Sequence, residues 1–465
     1  MERVDSEIAG TDYANWNYNN SLIMNGKDAK GGNILGTPKA RNSVSYLIAN
    51  RQSEITENIF LKKSKSPYIV HNQIQEFKDD AVLTIEPGVV IKFSNDAGLN
   101  FSGNAKIISH GTADDPIIFT SFSDDEYGGD LNNDATSSAP YPGGWFGVKI
   151  ETSNNDSVFD NNIFRYGGKY YNGQNQSLAN LAITGVSADI QNSIFENSKI
   201  YGLKLVNSNS NVLNNIFRNN NDSNDPAGSN AGLVILCGTP AVQNNQFINN
   251  ARGLYLSYVQ GDIQTNDFQS NRNEAVYSFG LMGSFSGNSG AGNGSDNIIL
   301  NGHLTQAGSN TFVYPNDLPY FLWGGEEPKV AASSTLEIGP GVVFKFSKVN
   351  HTGQLEIYGN FIVSGTGPDS VIFTSIYDGL DGVEADMGQW NGIFMKPGSY
   401  SDIRGASFKY ANIALIYQNS PVNLSNVKFF QNNLGIYADP DSIIETAESI
   451  EFLDNVSTTT PAGLW

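Results

Sequence analysis

Asn211-Val-Leu-Asn-Asn-Ile-Phe-Arg-Asn-Asn220 and Ala241-Val-Gln-Asn-Asn-Gln-Phe-Ile-Asn-Asn250 carry one pattern twice. An apolar residue is followed by Asn-Asn, an aromatic anchor, a second Asn-Asn pair, and a Gly-Leu-x-Leu/Ile strand. The pattern extends outward to the rungs Ile190–Leu205, Val212–Ile235, Val242–Leu256 and Ile263–Ser278, the last being the loosest, with Thr265 in the first Asn position. The anchors Phe195, Phe217, Phe247 and Phe268 are 22, 30 and 21 residues apart. The long interval holds Asp222–Asn230, a run of turn-forming residues that reads as an inserted loop. Glycines keep step at Gly202, Gly232 and Gly253.

A unit of about 21–22 residues with period-2 apolar alternation and no helical period is a strand-turn coil. Such a coil cannot bury its inward side chains alone, so neighbours complete the core, as in a solenoid. The prediction is an all-β parallel β-helix (solenoid) with Phe and Leu/Ile columns inside. Asn residues at matching positions, such as Asn192, Asn214 and Asn244, are expected to form ladders that satisfy turn backbone.

A larger duplication overlies the rungs. Leu83-Thr-Ile-Glu-Pro-Gly-Val-Val-Ile-Lys-Phe93 returns 253 residues later as Leu336-Glu-Ile-Gly-Pro-Gly-Val-Val-Phe-Lys-Phe346. Ile117-Ile-Phe-Thr-Ser121 returns as Val371-Ile-Phe-Thr-Ser375, Trp145-Phe-Gly as Trp390-Asn-Gly, and Phe164-Arg-Tyr166 as Phe408-Lys-Tyr410. The offset falls by about nine between Ser375 and Trp390, as a shortened loop requires. This predicts a segment 1–44, a first module 45–305 and a shorter second module 306–465.

These blocks, with Gly111-Thr, Asp124-Asp125 and Gly128-Gly-Asp130 between them, resemble the right-handed parallel β-helix repeat proteins of bacterial surfaces. The resemblance covers residues 45–465 and implies the pectin-lyase-like fold. It specifies fold better than activity, because that fold carries many functions. At the N-terminus, Glu2-Arg-Val-Asp5, Ala14-Asn-Trp16, Asn25–Ala29 and Leu35–Ser43 are similar to the closing strands of lamin-tail domains. About 43 residues are too few for such a sandwich of ~100. The expectation is that the natural protein continues upstream of Met1, where a signal for export would lie, and that it acts outside the cell or on its surface.

Composition narrows the partners. The net charge is −20 with pI near 4.5, which disfavours nucleic acid and anionic membrane surfaces and suits divalent cations. A single cysteine, Cys237, permits no internal disulfide; among Ile235, Leu236 and Gly238 it reads as a small packed residue. No stretch approaches the ~20 apolar residues of a membrane span.

Enzymes of this fold project catalytic groups outward from one strand stack. The strand after each glycine gives the outward columns Ala182/Lys204/Val234/Tyr255/Tyr277 and Thr184/Val206/Leu236/Ser257/Phe279, without Asp, Glu, His or Arg. Asp189 and Asp262 are three rungs apart, too far for a glycosidase pair. Ser109-His-Gly111 resembles a polygalacturonase motif, but the partner motifs are absent and the second copy has Ser364-Gly365.

Two candidate sites follow. Asp124, Asp125, Asp130, Asn132 and Asp134 form an acidic loop in which the last three keep the i, i+2, i+4 spacing of a calcium loop. It is not an EF-hand, since positions 6 and 12 are Ala135 and Tyr141. The second copy offers Asp378, Asp381, Glu384 and Asp386. The recurrence predicts Ca²⁺; the alternative is a solvated acidic loop. Tyr255, Tyr277 and Phe279 form an outward aromatic stripe that is either covered by the segment 167–176 or the second module, or open to a polysaccharide or cell-surface protein. The functional expectation is a non-catalytic surface module for adhesion, binding or display, with a polysaccharide lyase or other carbohydrate-active enzyme as the alternative.

Overall fold

A computed structural model describes residues 2–459 except 5–7, 20–25, 35–40, 47, 49–52, 133, 136, 170–178, 221–229, 281–282, 324–327, 349–352 and 381. The protein is an all-β parallel β-helix. Among the described residues there is no α-helix; the helical pieces are short 3₁₀ turns such as Tyr13–Asn15, Ser43–Tyr46 and Lys63–Lys65. The chain forms two compact units, Met1–Ile235 with Asn245–Gly253, and Leu236–Asn244 with Leu254–Trp465. This division falls inside the first sequence module rather than near residue 305.

In the first unit each coil contributes a strand to three parallel faces. Face A runs from Ile59–Leu61 through Val82–Ile85, Lys106–His110, Ser157–Asp160 and Ala188–Gln191 to Asn211–Leu213. Face B runs from Tyr68–Val70 through Val90–Phe93, Ile117–Ser121, Asn162–Arg165, Ile194–Glu196 and Ile216–Arg218 to Gln246–Ile248. Face C includes Ile74–Phe77, Gly98–Phe101, Val148–Ile150, Ala179–Thr184 and Tyr201–Val206. Side chains alternate in and out along every strand. The anchor phenylalanines become one column: Phe119, Phe164, Phe195, Phe217 and Phe247 stack with centroids 4.4, 5.2, 5.1 and 4.9 Å apart. These separations equal the strand spacing, so each ring covers the next, and each stack adds about 0.5–1.5 kcal/mol beyond area burial.

The Asn-Asn pairs divide their work, which corrects the expected ladder. Asn192, Asn214 and Asn244 are exposed and hold φ of 51, 58 and 56°. They turn the chain, because Asn tolerates the left-handed region better than other side chains. The buried ladder belongs to the following residue. Ser193 N–H donates to Asn215 Oδ1 (2.9 Å), and Asn215 N–H to Asn245 Oδ1 (2.9 Å). A second ladder at the next corner runs Ser198, Asn220, Asn250. The amide nitrogens donate to strand carbonyls, Asn215 to Ile190 and Asn220 to Phe195. Corner backbone buried among apolar columns is thereby satisfied.

The second unit repeats these devices. Asn266 donates to Asn288 and Asn288 to Asn316, while Phe344, Phe373, Phe408, Phe429 and Phe452 stack at 4.8–5.8 Å. A single run of parallel pairing joins Leu254–Val259, Glu274–Phe279, Ser295–Asn301, Tyr320–Leu322 and Val343–Phe346. Val343–Phe346 is the sequence counterpart of a face B strand, whereas Glu274–Phe279 occupies the face C position of its coil, so the repeat restarts one face around. Tyr400–Lys409 bends to pair with both Asn360–Ser364 and Val371–Ser375. Gly405 (φ 64°) makes the bend, where a Cβ would lie 2.5 Å from Gly365 backbone. In the segment 1–44 the described residues show one antiparallel strand pair, Glu2–Arg3 with Trp16–Asn17, and an isolated antiparallel bridge between Lys27 and Asn33.

Candidate cation site in the acidic loop

The loop leaves face B after Ile117–Ser121 and folds back over its outer surface. Outward Ile69 is fully buried beneath Tyr46, Phe122 and Leu131. Beside it in register, Lys92 is also fully buried, an unusual fate for lysine. Its ammonium donates to Gly129 O (2.5 Å), at the consecutive left-handed glycines Gly128 and Gly129 (φ 74 and 73°). Burial pushes the Lys92 pKa down, while Asp125, Asp124 and Asp130 oppose that shift.

Above this lysine, carboxylate oxygens of Asp125, Asp130 and Asp134 lie within 4.8 Å of one another. Asp130 shapes the turn by accepting from the backbone N–H of Ala135 (2.9 Å). Ala135 itself takes φ 60°, at the sixth position where a calcium loop places glycine. Asn132 Nδ2 donates to Asp134 Oδ2 (2.9 Å) and Ser138 Oγ (3.1 Å), which turns the amide oxygen away from those partners. Asp125 Oδ1, Asn132 Oδ1 and Asp134 Oδ1 are removed from solvent without a hydrogen-bond donor among the described residues. Buried oxygens normally have donors. Burial first, and then the Asp130 charge, raises the Asp125 pKa, and Lys92 only partly offsets this. Oxygen-only donors with excess negative charge suit a hard divalent cation.

Asp124 stands apart from this group. It accepts from Thr120 Oγ1 (2.5 Å) and lies 3.6 Å from Arg165 Nη1. Its counterpart is Asp378, which accepts from Thr374 Oγ1 (2.7 Å), with Lys409 4.0 Å away. Asp378 therefore repeats an anchoring carboxylate. Lys345 repeats Lys92 and donates to Asp378 O (2.9 Å). Glu384 and Asp386 are exposed, and Asp386 accepts from the N–H of Met387. Asp381 lies outside the described residues. Among the described residues the three-carboxylate group occurs in the first loop alone.

Sequence reasoning followed face C and missed the outward column of face B. There Arg165 sits 2.6 Å from Glu126 and 3.0 Å from Glu196, and Glu196 also accepts from Arg218 Nε (2.6 Å). Arg165 and Glu196 side chains are 9% and 6% exposed. The signal was Lys92 and Lys345 standing outward within otherwise apolar strands of both copies.

Tyr255 and Tyr277 face outward, half-buried, with rings stacked at 5.6 Å, and Asn301 donates to the Tyr277 hydroxyl (2.7 Å). Phe279 is also half-buried and meets Tyr258 edge-on. The segment 170–178, most of the proposed cover, lies outside the described residues. His110 is largely exposed and 3.5 Å from Asp160, which also accepts from Asn161 and Asn192. Asp189 is exposed and accepts from Asn211. Cys237 is exposed rather than packed: it is the second-last residue of the strand Ala231–Gly238 and takes the left-handed conformation there (φ 62°), as Gly185, Asn207 and Gly280 do just after the strands of other coils.

Fold and loop together define a parallel β-helix bearing an acidic oxygen-donor site. No protein-family model and no curated protein matches the chain.

Proposed function

We propose that this protein is a non-catalytic β-helix module, secreted or displayed at a cell surface for adhesion or binding, whose acidic loop is held by one divalent cation of the Ca²⁺ type. The observation that carries the reading is the convergence of Asp125, Asp130 and Asp134 with three buried, undonated oxygens of Asp125, Asn132 and Asp134. A cation there would neutralise the like charges and supply the missing partner. Resemblance to bacterial β-helix repeat proteins supports the surface role. The lyase alternative needs a free basic group beside the cation. Arg165 is engaged by Asp124, Glu126 and Glu196, and Arg218 by Glu196, which favours scaffold over catalyst.

Isothermal titration of chelator-treated protein with Ca²⁺ should give one site that Asp130→Ala with Asp134→Ala abolishes. Absence of binding at millimolar Ca²⁺ would overturn the cation reading. Incubation with a panel of acidic polysaccharides should release no unsaturated ends; their appearance would make the protein a lyase instead.

A further inference from the structure

The second unit contains an open groove of about 310 Å³, lined in part by Gln260, Ser284, Ser309, Asn310, Phe312 and Tyr314. Its aromatic wall follows from strand alternation. In Asn310–Val313, Val313 points into the core (1% exposed), so Phe312 points out. Phe312 and Tyr314 are 46% and 44% exposed, with centroids 6.4 Å apart and planes inclined by 25°. Two large rings side by side in solvent, at the edge of a concavity, form a platform rather than a packed core.

The remainder of the lining is polar and uncharged. Gln260 and Asn310 supply amides, and Ser284 and Ser309 supply hydroxyls. Among the described residues no lysine or arginine lines the groove, and in register beside Phe312 stands Glu337. This combination selects a ligand with an apolar face, a rim of hydroxyl groups and no negative charge. A neutral pyranose has that form: its C–H face covers an aromatic ring while its hydroxyls exchange hydrogen bonds with amides and side-chain hydroxyls. Nucleic acid also stacks on aromatic rings, but it requires cations along its backbone. A uronate-type anionic glycan meets the same objection, sharpened by the net charge of −20.

We infer that this groove binds pyranose units of a neutral glycan, with Phe312 and Tyr314 as the stacking platform. The inference adds a ligand class to the binding-scaffold reading and does not depend on the cation site. The test uses the full chain, in chelator and in Ca²⁺, titrated calorimetrically with neutral hexasaccharides of glucose, mannose and xylose, and with hexagalacturonate. At least one neutral glycan should bind, with chelator or without. Phe312→Ala with Tyr314→Ala should weaken it tenfold or more at an unchanged thermal midpoint, and Asn310→Ala alone should weaken it measurably. Failure of every neutral glycan, survival of binding in the aromatic double variant, or equal binding of hexagalacturonate would each overturn the inference.

Discussion

At the scale of single residues, the fold rests on a distinction between adjacent asparagines. Asn220 accepts from Ser198 N–H and donates to Phe195 O while fully buried. Asn220→Ala strands both groups away from water and should cost about 2–4 kcal/mol, read as a lowered denaturation midpoint. Asn214 is exposed and supplies only its backbone angle (φ 58°). Asn214→Gly should therefore change stability by less than about 0.5 kcal/mol, and Asn214→Ala should cost about 1–2. Equal costs at Asn214 and Asn220 would contradict this division of labour. Asp125 gives a second test. Its folded pKa is raised, first by burial and then by Asp130. A carboxyl with a raised folded pKa contributes stability when protonated and loses that contribution as pH rises through the folded value. In chelator, wild type should therefore lose stability relative to Asp125→Asn as pH climbs from below the ordinary carboxylate range to neutrality. Saturating Ca²⁺ should reverse the order at pH 7. Parallel profiles for the two proteins would show that Asp125 is not strained by its neighbours.

At the scale of elements, stability comes from columns that no coil completes alone. Phe217 lies between Phe195 and Phe247, fully buried, so Phe217→Ala opens a cavity lined by both neighbours and should cost about 3–5 kcal/mol. A loss below about 1 kcal/mol would mean that the column does not carry the core. The inward columns were legible in the sequence because period-2 alternation fixes which side of a strand faces the core. The ladders were read one residue early, because both asparagines of each pair suit a turn and only the backbone reveals which is inside. The charged column of face B was missed because its pattern, Lys92, Arg165, Glu196 and Arg218, is spread over different coils. The exposure of Cys237 likewise depends on a backbone conformation that its apolar neighbours concealed. Phe312 and Tyr314 sit where the repeat restarts, so no rung template marked them.

At the scale of the whole molecule, the duplication carries architecture more faithfully than it carries the candidate site. Each copy keeps a tryptophan stacked on phenylalanine, Trp145 on Phe93 and Trp390 on Phe346, with the indole N–H donating to the carbonyl of Arg165 or Lys409. Each also keeps the threonine–aspartate anchor and the outward lysine. The second loop is shorter, and the three-carboxylate group of the first has no counterpart among its described residues. The anchor and the three-carboxylate group are thus separable parts of the loop, and the aspartate shared by both copies, Asp124 or Asp378, marks the anchor. Circular dichroism should accordingly show a β-rich chain with almost no helix; a helical fraction near one third would remove the solenoid itself.

The cation proposed for the three carboxylates above the buried Lys92 is tested most directly by thermal unfolding. A cation that binds only the folded chain raises its midpoint by mass action. In millimolar Ca²⁺ the wild-type midpoint should exceed that in chelator by roughly 3–5 °C, the range expected for a few kcal/mol in a chain of this size. Asp130→Ala with Asp134→Ala should show the same midpoint in both conditions. Coincident wild-type midpoints in Ca²⁺ and in chelator would contradict the account and leave the acidic loop as solvated surface.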